Sequence, residues 1–398
     1  MKSLNKQLLI VVILLFFASN VLSQVYNSGY QNVVNQTSQT NITTNLNQFE
    51  ALGLKRRGNP GLQNTFNWLK NKYLSYGYSE SQIQTYTYTY SGSTEVCENL
   101  EVTKIGTLYP TTFIIICGHY DTIAGSGTND NGSGVVSILE AARLLQNIPT
   151  EYSIKFVNFS GEEDGLKGSQ HYVSNVVNAT NPKMNIRLVF NLDEVGGVSG
   201  MVNNTITCER DNSTPTTNNA ASNTFTNQLI NCVELYTSLN TFLSYAYASD
   251  YMPFQSNNEV ITGFFETNET THKHTATDLL VNMDPVYNFN VAKATVAAAL
   301  HFAIANTSTL LQDEFNNDFQ VSFFPNPTKE ILNINTGKLP LGKYNFSLID
   351  VNGKTVFNTT IDNKNPIEQI NIGNFSDGIY IGIIENDSQL IRKKIVIK

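Results

Sequence analysis

Apolar residues follow two different spacings in the first three quarters of the chain, and these spacings predict its secondary structure. Short apolar, β-branched runs bounded by turn residues predict buried strands at 113–117, 152–159 and 186–192. Apolar residues at helical spacing predict helices at 60–76, 135–146 and 285–304. Strand–helix alternation of this kind predicts an α/β domain over residues 46–311, with helices flanking a mixed, mostly parallel central sheet.

The pattern changes near residue 311. An acidic linker is predicted at 312–320, and residues 321–398 consist of short apolar runs separated by Gly, Asn and Pro. Such spacing predicts a small all-β sandwich as a second domain.

Three segments of the first domain have weaker patterns. Residues 24–45 are rich in Asn, Thr, Ser and Gln, which fits a linker, a short propeptide or a leading helix. Residues 197–226 are predicted to form a long Asn/Thr/Ser loop, and long loops are usually functional or disordered. Short strands are predicted at 244–254 and 260–267, with a loop between them.

The beginning of the chain predicts export. Lys2 and Lys6 precede an unbroken apolar run at 8–18, and small residues before Gln24 offer a cleavage site. A membrane anchor is the alternative, but this run is shorter than the roughly 20 residues that a spanning helix needs. Residues 1–23 are therefore predicted to be a signal peptide, and no transmembrane anchor is expected after its cleavage.

The net charge bears on possible binding partners, and the cysteine content bears on disulfide bonding. The 398-residue chain carries a formal charge of −8 and has a pI near 5.2, which argues against nucleic-acid binding. Its four cysteines include no CxxC pair, so in an exported protein they predict two disulfides. Antiparallel pairing of 98–103 with 113–117 would bring Cys97 close to Cys117. A bond between Cys208 and Cys232 would hold the loop at 197–226.

Side chains with metal-binding chemistry follow the predicted strands. His119, the Glu162–Glu163 pair and Asp193 each lie just past a strand's C-terminal end, where open α/β sheets bind ligands. Imidazole and carboxylate groups suit zinc, and the set is too large for one tetrahedral ion but suits two ions that share a carboxylate. The full candidate set is His119, Asp121, Asp130, Glu162, Glu163, Asp193, Asp250 and His274.

Each residue also has an ordinary structural interpretation. His119 or Asp193 alone could be a cap or a hydrogen-bonded loop residue, and Glu162–Glu163 alone could be a solvated acidic turn. His272 competes with His274 for the ligand role. Asp121 lies two residues after His119 and so shares its face in an extended segment, where it can orient the imidazole.

Five motifs together resemble the M28 zinc metallopeptidases over roughly residues 50–307: GHYDT…NDNGSG, SGEEDGLKGSQ, NLDEVGG, SDYMPF and HTATD. The resemblance implies two zinc ions per chain and often a cis peptide bond, here Asp130–Asn131. It also implies a role for each matched residue. His119 and Asp193 bind one zinc, Glu163 and His274 bind the other, Asp130 bridges them, Glu162 is the general base for metal-activated water, and Asp121 orients His119.

This resemblance favours a secreted aminopeptidase that acts on peptides or proteins. The alternatives are a carboxypeptidase, a glutaminyl cyclase of the same fold, and an inactive surface-exposed binding protein. Glu194 stands where well-known relatives have a pocket methionine, so we hypothesise a preference for polar or basic N-terminal residues. Phe265 and Asp250 are further candidates for substrate binding.

The second domain resembles the type A sorting domain of the type IX secretion system. The resemblance rests on the motifs FFPNPTKEILNI, LIDVNGKTV, FSDGIYIGII and RKKIVIK. It implies that the secretion machinery is a partner and that the protein reaches the cell surface or the medium. A carbohydrate-binding or cell-wall-binding sandwich is the alternative, although the chain's single tryptophan, Trp68, lies in the first domain.

Overall fold

The chain forms two units, residues 1–306 and 307–398. The computed structural model describes residues 25–307, 321–336, 339–351, 353–362, 364–386 and 390–398. The predicted signal peptide at 1–23 and the predicted linker at 312–320 lie outside the described residues.

An eight-stranded sheet forms the centre of the first unit, with strand order β1-β2-β4-β3-β5-β8-β6-β7. The central neighbours β4, β3, β5 and β8 are parallel, and antiparallel pairings flank them at β1/β2, β2/β4 and β8/β6. This sheet confirms the predicted mixed α/β fold. The strands are β1 (Ile83–Tyr88), β2 (Cys97–Lys104), β3 (Tyr109–His119), β4 (Tyr152–Phe159), β5 (Asn185–Leu192), β6 (Thr205–Arg210), β7 (Asn240–Tyr245) and β8 (Ile261–Glu266).

Helices cover this sheet, and their apolar residues account for its burial. Ile114, Ile115 and Ile116 of β3 are completely buried, as expected for a parallel strand that is packed on both faces. The α-helices of the first unit are α1 (Ser28–Val34), α2 (Gln39–Ala51), α3 (Pro60–Ser75), α4 (Gly132–Leu145), α5 (Lys167–Tyr172), α6 (Asn219–Tyr236), α7 (Tyr251–Ser256) and α8 (Pro285–Phe302).

Residues 25–51 are helical and belong to the first domain. The Asn27 and Ser38 side chains cap α1 and α2 by accepting backbone N–H groups. The backbone N–H of Asn27 donates to the Tyr236 hydroxyl at 2.9 Å, and the Tyr30 hydroxyl donates to the Ala305 backbone carbonyl at 2.8 Å. Within 24–45 the described residues therefore form α1 and the first part of α2, both of which belong to the first unit.

The prediction of two disulfides is wrong in this structure. Strand β4 lies between β2 and β3, so the segments that carry Cys97 and Cys117 are not neighbours. Cys208 on β6 and Cys232 on α6 are buried, as are the other two cysteines, and no disulfide bond is present among the described residues. The local turn at 106–110 suggested a hairpin, whereas non-local pairing with β4 determines the sheet order.

Two other local predictions are also wrong. The segment 197–226 is not one long loop, because it contains β6 and the first residues of α6. In 244–254, the strand β7 ends at Tyr245 and helix α7 begins at Tyr251. The predicted strand at 260–267 is confirmed as β8.

The second unit is all-β, as predicted. A three-stranded sheet has the order β13-β10-β9, a four-stranded sheet has the order β12-β11-β14-β15, and neighbouring strands in both are antiparallel. Its strands are β9 (Ser322–Phe324), β10 (Ile331–Asn335), β11 (Lys343–Asp350), β12 (Thr355–Asp362), β13 (Ile367–Asn371), β14 (Gly378–Glu385) and β15 (Leu390–Ile397). Among the residues that the structure describes, we find no helix with the length and hydropathy to cross a membrane.

Candidate metal centre

Three neighbouring parallel strands deliver polar side chains to one edge of the sheet. His119 is the last residue of β3, Glu162 and Glu163 follow the end of β4, and Asp193 follows the end of β5. Two loops complete the group, with Asp130 just before α4 and His274 after β8. The candidate metal-binding side chains therefore lie at the carboxyl ends of parallel strands, which is where open α/β sheets bind their ligands.

The two imidazoles meet at one carboxylate. The Nε2 atom of His119 lies 3.3 Å from Oδ1 of Asp130 and 3.2 Å from Oδ1 of Asp193. The Nε2 atom of His274 lies 3.2 Å from Oδ2 of Asp130 and 3.1 Å from Oε2 of Glu163. Each oxygen of Asp130 thus faces a different imidazole–carboxylate pair.

The cluster holds more negative than positive charge. Burial would raise the pKa of Asp130, but hydrogen bonds with His119 and His274 hold it well below its usual range. Burial and the Asp130 carboxylate raise the pKa of Glu163. Burial would lower the pKa of His119, whereas Asp193 and Glu162 raise it well above its usual value. Cations in this site would relieve the mutual repulsion of the carboxylates.

The donor set fits two divalent cations. Nitrogen and carboxylate oxygen are ligands that zinc accepts, and ligand atoms of His119, Asp130 and Glu163 lie within 4.8 Å of one another. Asp130 and Asp193 form a second such group together with Glu194. His272 belongs to neither group, and its Nδ1 atom lies 2.8 Å from the Thr277 hydroxyl instead.

Asp121 supports two parts of the site. Its carboxylate accepts the backbone N–H groups of Glu162 and Glu163 at 3.2 and 3.3 Å. Its backbone carbonyl lies 3.1 Å from Nδ1 of His119, while its carboxylate oxygen is 3.7 Å from that nitrogen. The side chain therefore holds the loop that carries the two glutamates, and the closer contact with the imidazole comes from the main chain.

Other buried groups tie the ligand loops to one another. The Asp278 carboxylate accepts the backbone N–H groups of Asn129 and Asp130 at 2.8 and 3.0 Å. The Ser249 hydroxyl donates to Oδ2 of Asp193 at 2.6 Å. The peptide bond between Asp130 and Asn131 is cis, which agrees with the sequence-based expectation. Of these supports, Ser249 and Asp278 appeared in the sequence only as the first residue of SDYMPF and the last residue of HTATD, without an assigned role.

Lys55 anchors the loop between His119 and Asp130 from a different segment. Its backbone N–H donates to the Thr122 hydroxyl at 3.0 Å, and the Thr122 N–H donates back to the Lys55 carbonyl at 3.2 Å. Its buried ammonium donates to the Ser126 carbonyl at 2.7 Å and lies 3.8 Å from the centre of the Phe49 ring. The loop is thus held at both its strand side and its middle.

A cavity of about 400 Å³ opens beside the ligands. Glu162 lines it, and burial together with the nearby Asp193 raises the pKa of this carboxyl group. Of the three residues expected to bind substrate, Glu194 and Phe265 line the cavity, whereas Asp250 does not line it and is completely buried. Further lining residues that the sequence did not single out are Glu209, Tyr247, Tyr251 and Lys273.

Comparison with known proteins identifies the first domain. The model of peptidase family M28 matches residues 102–299. The first domain belongs to peptidase family M28. The model of the secretion system C-terminal sorting domain matches residues 322–398, so the second domain is a secretion sorting domain.

Individual relatives agree with this assignment. Aminopeptidase YwaD of Bacillus subtilis is 42% identical over 84 residues, which is 21% of this chain and 18% of the relative. This chain therefore matches only about a fifth of that curated relative. The M28-type fold recurs in the LapA aminopeptidase of Legionella pneumophila, with a TM-score of 0.59, 22% identity, and coverage of 71% of this chain and 77% of that one. A glutaminyl cyclase of Fimbriiglobus ruber shares the fold at a TM-score of 0.52 and 14% identity, over 66% and 95% of the two chains.

Proposed function

We propose that the protein is a secreted two-zinc aminopeptidase. The arrangement of Asp130 carries this proposal, because its two oxygens face two separate groups, His119 with Asp193 and His274 with Glu163. A shared carboxylate between two such groups is the donor pattern that two neighbouring divalent ions require. His119 and Asp193 would hold one zinc, Glu163 and His274 the other, and Asp130 both.

The proposed reaction is hydrolysis of the first peptide bond of a substrate. Bound zinc would supply Lewis-acid polarisation of the carbonyl and would lower the pKa of water. Glu162 takes a proton from the attacking water and returns it to the leaving amine. The backbone of Glu162 is held by Asp121, and its raised pKa in a buried setting suits a group that must both accept and donate a proton.

The test combines metal content with substrate choice. We expect about two zinc ions per chain, hydrolysis of amino-acid anilides with a free α-amine, no hydrolysis of N-blocked analogues, and loss of activity in a chelator with recovery on adding zinc. Glu162→Gln should lower kcat by at least about 100-fold while zinc remains bound, since general-base catalysis contributes about 10²–10⁴-fold. The exposed Glu80, changed to Gln, serves as the matched control and should behave as wild type.

Other outcomes would support the alternatives. Cleavage of N-blocked peptides from a free carboxyl end would indicate a carboxypeptidase. One zinc per chain with ring closure of N-terminal glutamine would indicate a glutaminyl cyclase. Activity that persists in the chelator would refute the proposal, and a folded protein that binds zinc but cleaves nothing would indicate a binding protein.

We also propose that the type IX secretion machinery exports the chain to the cell surface or the medium, after cleavage of a signal peptide at residues 1–23. The match of residues 322–398 to a secretion sorting domain supports this route. The strongly basic end of the chain, with Arg392, Lys393 and Lys394 on β15, agrees with the sorting-domain motif.

A further inference from the structure

One buried carboxylate that lines the cavity belongs to neither group of candidate metal ligands. Glu209 lies on β6 and is only 3% exposed, yet it borders the cavity together with Tyr247, Phe265 and Lys273. It takes no part in holding the proposed metal ions or in the proposed proton transfer. A buried carboxylate with no such role is costly to maintain unless something binds it.

The two glutamates differ in their counter-charges. Nζ of Lys273 lies 3.2 Å from Oε1 of Glu194 and also pairs with Glu269. In contrast, no lysine, arginine or histidine in the described parts of the chain forms an ion pair with Glu209. Glu194 is thus already neutralised by the protein, whereas Glu209 is not. Burial raises the pKa of Glu209 to about 8 when no cation lies beside it, and a bound cation would lower this pKa and favour the charged carboxylate.

The surroundings of Glu209 hold its carboxylate in place. The Tyr251 hydroxyl donates to Oε2 of Glu209 at 2.6 Å and accepts the backbone N–H of Tyr247 at 3.0 Å. Gly263, which pairs with Glu209 across β6 and β8, makes room for this contact. A Cβ atom at position 263 would lie 2.7 Å from Cε1 of Tyr251 and 3.2 Å from Oε2 of Glu209. A glycine is therefore needed for the tyrosine to reach the carboxylate.

The cavity wall around Glu209 also suits the body of a long cationic side chain. Tyr247 is 56% exposed and lines the same cavity as Glu209 and Glu194. Aromatic faces such as those of Tyr247 and Phe265 attract ammonium and guanidinium groups and can pack against aliphatic stems.

We propose that Glu209 is a specificity-determining residue that binds the side-chain cation of an N-terminal lysine or arginine. This inference rests on the proposed aminopeptidase function and names its substrate class. The sequence suggested that Glu194 selects for a basic N-terminal residue. Because Lys273 already compensates the charge of Glu194, we assign this role to Glu209 instead. Glu209, which has no counter-charge among the described residues, also makes this part of the cavity unfavourable for a carboxylate side chain.

The test compares lysine anilide with norleucine anilide, which has a similar chain but no ammonium group. We expect the full-length zinc enzyme to prefer lysine by at least about tenfold in kcat/KM, as sites built for polar groups discriminate strongly. Glu209→Gln should remove most of that preference and leave kcat/KM for norleucine within about threefold. Glu194→Gln, the matched variant, should keep a clear preference for lysine.

The outcomes separate this inference from the proposed function. Cleavage of both anilides at equal rates, unchanged by Glu209→Gln, would overturn the inference and leave the aminopeptidase intact. Loss of the preference in Glu194→Gln but not in Glu209→Gln would also overturn it. Absence of cleavage of any free-amine anilide would instead contradict the proposed function.

A binding measurement on the unaltered enzyme covers the case in which Glu209→Gln does not fold. Free L-lysine and L-norleucine are compared as inhibitors of norleucine anilide hydrolysis. Lysine should inhibit with an inhibition constant at least about tenfold lower. Equal constants would refute the role of Glu209 regardless of the variants.

Discussion

Asp278 offers the sharpest test of how the ligand loops are held. Its carboxylate is 1% exposed and accepts two backbone N–H groups, those of Asn129 and Asp130, at 2.8 and 3.0 Å. Asp278→Ala would leave both N–H groups buried without an acceptor. Each hydrogen bond to a charged group contributes about 1.5–3 kcal/mol, so loss of two should lower the free energy of unfolding by about 3–6 kcal/mol.

The same change should weaken metal binding. Asp130 is the carboxylate that both imidazoles face, and its backbone position depends on Asp278. Loss of groups that orient metal ligands typically lowers metal affinity about 10–100-fold. We therefore expect a similar loss in zinc affinity for Asp278→Ala, measured by competition with a chelating dye, alongside urea unfolding of the metal-free protein. Asp278→Asn keeps one oxygen acceptor, so its zinc affinity and its stability should lie between those of the wild type and Asp278→Ala.

Asp284 provides the matched control. Its side chain also accepts two backbone N–H groups, those of Val286 and Tyr287 at 3.0 and 3.1 Å, but it caps α8 and contacts no proposed ligand. Asp284→Ala should cost about 1 kcal/mol of stability, as helix caps do, with unchanged zinc affinity. If Asp278→Ala bound zinc as tightly as the wild type, Asp278 would not position Asp130 for metal binding. If its free energy of unfolding were unchanged, the two buried N–H groups would not depend on Asp278 as their acceptor.

Two further predictions concern acid stability and export. Burial lowers the pKa of His301 to about 4, and its Nε2 atom lies 2.9 Å from the Tyr236 hydroxyl, so the native state keeps it neutral. Below about pH 6.5, His301 binds a proton in the unfolded state but not in the native state. The free energy of unfolding should therefore fall by about 2 kcal/mol between pH 6.5 and 4, after allowance for partial exposure. Urea unfolding of His301→Phe should not show this decrease over the same pH range. A chain that ends at residue 306 should retain peptidase activity but remain inside a bacterium with type IX secretion, whereas its release into the medium would contradict the sorting role.

Sequence patterns predicted the part of the site that depends on strand ends. His119, Glu163 and Asp193 could be placed together because the strands before them are short apolar runs, and parallel strands end at one edge. Asp130 and His274 lie in loops with no periodicity, so only their motifs indicated a role. Their positions depend on side chains such as Asp278 that make contacts far along the chain.

The missed features share a physical cause. Strand β6 was interpreted as loop because its sequence, TITCER, sits between Asn- and Thr-rich segments, and its strand character comes from pairing with β7 and β8. Glu209 was therefore not recognised as a residue of the cavity. Likewise, the insertion of β4 between β2 and β3 is non-local, so the short turn at 106–110 wrongly suggested that Cys97 and Cys117 were neighbours.

Lys55 shows where the working unit of this peptidase begins. The family match starts at residue 102, yet the loop that leads to Asp130 is held by Lys55, whose ammonium contacts the ring of Phe49 on α2. Helix α2 in turn packs against α4 and α8, which bury its apolar residues. A cut within or after α2 would therefore detach the segment that holds the loop leading to Asp130.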